Sequence, residues 1–243
     1  MSEVPLSLGE QRALYRRLVS HPQWLSYVGR FGPFHLRSPQ NGWVTLFSSK
    51  EDLALAQAQS RERIQTAAMS GFEPFALHLG ARAGLCIDPA SPGAIHFKEH
   101  QLAHLQEWGR GAWVERLLRA QISEAWVWQP LLDFSPYLVP VTGQGSATRY
   151  MDGEDAYGRT GMALFTLEDA LHRYLALHSS ERQEQVRVLK FSGRKLFRSL
   201  GPEGQPRAVV LNAAGPGPAT YIQALQFGHW LNASEQASTR ADV

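Results

Sequence analysis

Cysteine is almost absent from this sequence: Cys86 stands alone among 243 residues. That excludes an intramolecular disulfide framework and suits a reducing compartment. Charge of one sign is lacking too. Lys and Arg number 24 against 22 Asp and Glu, with no polybasic block, so the overall field selects for neither nucleic acid nor a membrane surface. No apolar run approaches the ~20 residues needed to span a bilayer. Met1-Ser2-Glu3-Val4-Pro5 shows no basic stretch leading into an apolar core, and a cytoplasmic protein is expected. Neither a phosphate loop nor a Gly-x-Ser-x-Gly nucleophile elbow occurs. Gly143-Gln144-Gly145-Ser146 lacks the third glycine and the strand-to-helix setting of a dinucleotide fingerprint.

What is present is ordinary globular material, 44% hydrophobic and 19% charged, which excludes a disordered chain. Ser7-Leu8-Gly9-Glu10 is a capping box, and Leu14, Leu18 and Val19 follow at helical spacing. Gly29, Gly32, Pro33, Pro39 and Gly42 then punctuate short apolar pieces, a pattern of strands and turns. Cys86 lies in the apolar run Gly84-Leu85-Cys86-Ile87, where an inert buried thiol is the expected occupant.

A near-repetition follows. Trp43-Val44-Thr45-Leu46-Phe47 reads as a strand, and Ser48-Ser49-Lys50-Glu51 as a capping box opening a helix through Leu53 and Leu55. Gly161-Met162-Ala163-Leu164-Phe165, then Thr166-Leu167-Glu168-Asp169 and Leu171, repeat the pattern. Leu46, Phe47, Glu51 and Leu53 fall opposite Leu164, Phe165, Asp169 and Leu171 at one constant offset. Downstream, Ile87-Asp88 matches Leu211-Asn212, each followed by a Pro-Gly step, at a slightly longer offset. The extra residues fit the loop at 201–206, since loops absorb insertions at little entropic cost. Asp and Asn close strands by bonding nearby backbone, and Gly supplies positive φ in the turn. Two matched blocks in one order favour a duplicated unit over two coincidental strand–cap–helix junctions.

Between the copies, Leu102, Leu105, Trp108, Val114, Leu117, Leu118 and Ile122 recur with helical period, with Gly109 and Gly111 expected to break the helix. The organisation expected is a first module over 1–101 and a helical bridge over 102–128. A second module over 129–231, entered at Val139-Pro140-Val141, and a disordered tail over 232–243 complete it. Residues 144–160 read as an exposed loop or ragged hairpin.

At these residues the chain resembles the N-terminal domain of the enhanced-serine-sensitivity (SseB-like) family. The elements that carry the resemblance are Leu46-Phe47-Ser48-Ser49-Lys50-Glu51-Asp52-Leu53 with its counterpart Leu164 to Leu171, and the strand ends Leu85-Cys86-Ile87-Asp88-Pro89 and Val210-Leu211-Asn212-Ala213. The resemblance implies an α+β fold, two tandem small modules of mixed sheet with flanking helices, and no established chemistry. It also implies a bacterial accessory, adaptor or immunity-type binding protein. The family usually carries one such domain with a different C-terminal partner, so two copies are a departure from it.

Several motifs compete for function. His96-Phe97-Lys98-Glu99-His100 fits a metallopeptidase spacing and His104 extends it, with Glu99 as general base. However, His96 falls in a strand after the Pro-Gly turn, and the second copy places Thr220, Ala224 and Gly228 at the corresponding positions. Arg194, Lys195 and Arg198 form a basic face that solvent alone accounts for. Tyr150, Asp152, Glu154, Asp155 and Tyr157 lie together in the polar loop, where tyrosines flanking acids offer apolar anchors with charge selectivity. Trp126 and Trp128 alternate along an expected strand and form a second candidate patch, unless both pack over the bridge.

The reading is a non-enzymatic cytoplasmic protein-binding protein. Its partner is another protein, it uses no cofactor, and recognition falls to Tyr150, Asp152, Glu154, Asp155 and Tyr157, with Trp126 or Trp128. The alternatives are a zinc-dependent hydrolase built on His96, Glu99 and His100, and a small-molecule sensor with its site between the modules.

Overall fold

Helix α1 (Leu8–Val19) starts where the Ser7–Glu10 pattern predicts. The Ser7 hydroxyl accepts the Glu10 amide at 3.3 Å, and the Glu10 carboxylate accepts the Ser7 amide at 2.8 Å. In this computed structural model the described residues are 7–29, 32–36, 43–59, 65–79, 84–119, 124–178, 186–200, 206–214 and 219–241. The chain is α+β and divides into two units, Met1–Trp113 and Val114–Val243.

In unit 1, α1 leads into β1 (Gln23–Gly29), β2 (Gly32–Leu36), β3 (Trp43–Phe47), α2 (Lys50–Gln59), β4 (Thr66–Ser70), a π-helical turn at Pro74–His78, β5 (Gly84–Ile87) and β6 (Ile95–Lys98). The sheet order is β2-β1-β3-β5-β6, with β4 also paired to β1. β3 and β5 run parallel, Leu46 beside Ile87, and the other pairs are antiparallel. Helix α3 (Glu99–Arg119) closes the unit and crosses its boundary. It continues unbroken through Gly109 and Gly111, where a break was expected. Gly109 is there for packing: a Cβ on it would sit 2.6 Å from the Ala76 nitrogen and 2.7 Å from the Phe75 Cβ.

Unit 2 continues with α4 (Glu124–Asp133), β7 (Tyr137–Thr142), β8 (Arg149–Tyr150), β9 (Asp152–Glu154), β10 (Thr160–Leu164), α5 (Glu168–His178), β11 (Arg187–Phe191), α6 (Gly193–Arg198), β12 (Ala208–Leu211), β13 (Thr220–Gln223) and α7 (Ala224–Ala241). One sheet runs β13-β12-β10-β9 and another β11-β7-β8, tied by a bridge between Leu138 and Phe165. Two expectations fail here. Trp126 and Trp128 lie on α4, not on a strand, and residues placed in a disordered tail continue α7 to Ala241. The alternation of bulky residues around Trp126 imitates strand period, whereas Leu131 and Leu132 are the buried helical face that decides the element.

The same contacts recur in the two units. β3 and β5 pair parallel in register Leu46↔Ile87, and β10 and β12 in register Leu164↔Leu211. Phe47 pairs with Leu25, and Phe165 bridges Leu138; both phenylalanines are fully buried. The Trp24 indole donates to the Leu18 carbonyl at 3.2 Å, and the Tyr137 hydroxyl to the Leu131 carbonyl at 2.8 Å. Phe75 meets Trp24 edge-on with ring centroids 5.9 Å apart, and Phe197 meets Tyr137 likewise at 5.4 Å. Helix α4 therefore stands to β7 as α1 stands to β1, and the expected bridge, which stops at residue 128, ends inside this helix.

The strand ends are held by one device. Asp88 and Asn212 adopt positive φ, 51° and 56°, a conformation that Asp and Asn tolerate better than other side chains. From there the Asp88 carboxylate accepts the Ser48 amide at 2.8 Å and its hydroxyl at 2.7 Å. The Asn212 side-chain oxygen accepts the Thr166 amide at 3.0 Å, while its NH₂ donates to the Thr166 hydroxyl at 2.9 Å. This corrects the capping boxes read from sequence, because the hydroxyls of Ser48 and Thr166 serve the latch. The cap of α2 is Ser49, whose hydroxyl accepts the Asp52 amide at 3.0 Å.

Candidate functional site

Unit 2 differs from unit 1 by what stands between its first two long strands. The segment through β8 and β9 wedges between β7 and β10. The Met151 amide donates to the Pro140 carbonyl, and the Ala163 amide to the Met151 carbonyl. β9 then turns back into β10, pairing Glu154 with Thr160. Gly153 faces inward, 3.2 Å from the Val210 Cβ at its would-be Cβ, while Asp152 and Glu154 face solvent. The Tyr174 hydroxyl holds the Asp152 carbonyl.

The hairpin tip is built on Asp155. Its amide donates to the Arg159 carbonyl, and its carbonyl accepts the Gly158 amide, both at 3.1 Å. Gly158 has φ 75°, which the turn requires and a side chain disfavours. One carboxylate oxygen accepts the amides of Tyr157 at 3.0 Å and Arg159 at 2.9 Å; the other takes the Arg159 guanidinium at 2.6 and 2.8 Å. Desolvation pushes the carboxyl pKa up, but the Arg159 guanidinium and the two amides outweigh it and hold it below the ordinary value. Asp155, read from sequence as a recognition acid, is thus spent inside the turn.

The pinned guanidinium reaches further. Its carbon lies 5.4 Å from the Tyr157 ring centre and 4.6 Å from that of Tyr221 on β13. Tyr157 itself is 85% exposed, so a large aromatic is displayed on a turn whose backbone and neighbouring charge are already fixed. Tyr150 is a different case: it packs against the core of unit 2. Of the five loop residues expected to recognise a partner, Asp152, Glu154 and Tyr157 face outward, and Tyr150 and Asp155 face inward. Arg159 and Tyr221 were missed. The sequence signal for Arg159 was its position four residues after Asp155; nothing local links Tyr221 to the hairpin.

Trp128 stacks on Trp230 with the rings 14° apart, and its indole nitrogen is buried with no hydrogen-bond partner among the described residues. Trp126 lies on the same helix, α4. Within unit 1, Trp108 is buried against Tyr15.

The histidine cluster divides. His96 is on β6, 3.8 Å from the Cys86 sulfur and edge-on to Trp43. Glu99, His100 and His104 are on α3, where His104 meets Tyr15 and pairs with Glu107 at 3.6 Å. Among the described residues no group of three or more His, Cys, Asp or Glu is placed to hold a metal. The strand registers also shift the correspondence read from sequence: Ile87 faces Ile95, but Leu211 faces Thr220. The turn of unit 2 is one residue longer, so Tyr221, Leu225 and His229 are the counterparts of His96, His100 and His104. Burial and the Asp88 charge push the Cys86 thiol up to about 11, so it is protonated at neutral pH.

No family model matches the chain, and no curated protein matches it. A solved structure titled Anabaena Tic22 (protein transport) aligns over 87% of this chain and 94% of its own, at 15% identity and a TM-score of 0.27. A likeness at that level carries no argument about this chain. Among the described residues no helix is long and apolar enough to cross a membrane.

Proposed function

We propose that this protein is a non-enzymatic, cytoplasmic protein-binding protein of the SseB-like kind, made of two duplicated modules. In this reading the matched residues build the fold, and the β9–β10 hairpin of unit 2 meets the partner. One observation carries it: Tyr157 is displayed to solvent on a turn whose backbone, carboxylate and guanidinium are bonded to one another before any partner arrives. Single exposed aromatics are common. A pre-ordered one is less so, and it forfeits less entropy on binding, which is why rigid tyrosines dominate hot spots. Asp152 and Glu154 flank it with negative charge and select against acidic partners at that spot.

The test is site-specific photocrosslinking in the source cell. A photoreactive phenylalanine at Tyr157 should form a discrete adduct with one protein, while the same group at Leu177, 71% exposed on α5, should not. Equal or absent adducts at both positions would overturn the assignment.

A further inference from the structure

Beside the hairpin, unit 2 has a groove of about 660 Å³ opening against β13 and the first turns of α7. Tyr221, the ring under Arg159, belongs to its wall. Leu200, nearly buried, lies at its base. Helix α7 turns Leu225, Gly228 and His229 into it, the spacing that shares one helical face. Leu225 is 72% exposed, and among the described residues a Cβ on Gly228 would meet nothing within 4 Å, so the helix offers an apolar step beside a notch.

The formal charge in the lining is that of Arg207, and the imidazole of His229 adds a further nitrogen to it. Arg207 and His229 line the groove, and among the described residues no carboxylate does. The counterpart surface of unit 1 has Glu99 and Glu107 where unit 2 has Ala224 and Asn232. At the β13 edge the Gln223 amide is taken by the Gln226 side chain at 3.1 Å, which removes one backbone donor from strand addition.

We infer that this groove docks an acidic, leucine-bearing segment of a partner protein. Carboxylates of the segment meet Arg207 and His229, and an apolar side chain packs on Leu225 over Gly228. This rests on the protein-binding reading above and names the chemistry of the partner.

Two fluorescein-labelled peptides of equal length test it on the full chain, one alternating Glu with Leu and the other Lys with Leu. Fluorescence anisotropy should show saturable binding of the acidic peptide only, weakening with added salt. Arg207→Glu should reduce its affinity by about tenfold or more and Leu225→Ser by several-fold. Both positions are exposed, so circular dichroism should be unchanged. Equal binding of the two peptides, no binding of the acidic one, or indifference to Arg207→Glu would each overturn the inference. The protein-binding reading fails separately: an adduct at Tyr157 without acidic-peptide binding refutes only the peptide chemistry, whereas peptide binding without an adduct refutes only the hairpin.

Discussion

Unit 1 latches its parallel strand pair with Asp88 on Ser48, and unit 2 does so with Asn212 on Thr166. At the outer end of the same pair, Trp43 leans over Gly84 in unit 1, while unit 2 has Gly161 against Ala208. The bulk has changed and the close approach is kept. Between the first strand and the parallel pair the units part company: β1 and β3 zip directly, whereas β8 and β9 force β7 and β10 apart and carry Asp155, Tyr157 and Arg159. The comparison teaches that the latch, the buried phenylalanines and the first helix are demands of the fold. The wedge and the groove chemistry are free to differ, and recognition is argued there.

The largest expected effect attacks the shared core. Phe47→Ala and Phe165→Ala should each destabilise by about 3–5 kcal/mol, read by urea unfolding. A large loss for one and a negligible loss for the other would break the equivalence. Next come the two glycines that precede the π-helical turn and lie within α6. A Cβ on Gly71 would lie 2.0 Å from the His21 carbonyl oxygen, and one on Gly193 would lie 2.5 Å from that of Leu131. Gly71→Ala and Gly193→Ala should therefore each cost about 1–3 kcal/mol, because backbone cannot swing aside.

The latches give a sharper pair. Asp88→Ala and Asn212→Ala each leave an amide without its acceptor and should cost about 1–3 kcal/mol. Asp88→Asn should cost less than about 1 kcal/mol, because unit 2 makes the same latch with Asn. Asp155→Asn probes what unit 1 has no counterpart for. Since the folded carboxyl pKa lies below the unfolded one, its stabilisation is present above the ordinary carboxylate pKa and disappears as pH falls through the lowered value. The variant should be less stable than the parent at pH 7, with the gap closing in acid. The last effect is chemical and leaves the fold untouched: native Cys86 should alkylate about 100-fold more slowly than a free thiol, in line with its thiolate fraction.

Much of the frame was legible because it is local. Apolar runs ending in Asp or Asn marked the parallel strand ends, and Phe47 and Phe165 marked their partners. What escaped notice depends on contacts far along the chain. Ser48 and Thr166 sit where helix caps belong, yet their hydroxyls go to residues 88 and 212. Gly109 looks like a breaker until Phe75 is packed on it. Helix α4 was hidden by the tryptophans of an apparent strand, and with it went its likeness to α1. Of the site, Tyr157 was legible as an aromatic in a polar loop, but Tyr221 and the groove exist only once β13 and α7 are brought together.

Hydrogen exchange by mass spectrometry on the parent, Asp88→Ala and Asn212→Ala proteins tests the equivalence of the two units most directly. The account predicts that β3 and β5 lose protection in Asp88→Ala while β10 and β12 keep theirs, and that Asn212→Ala gives the mirror image. Loss of protection in the same unit for both variants, or in neither, would contradict it.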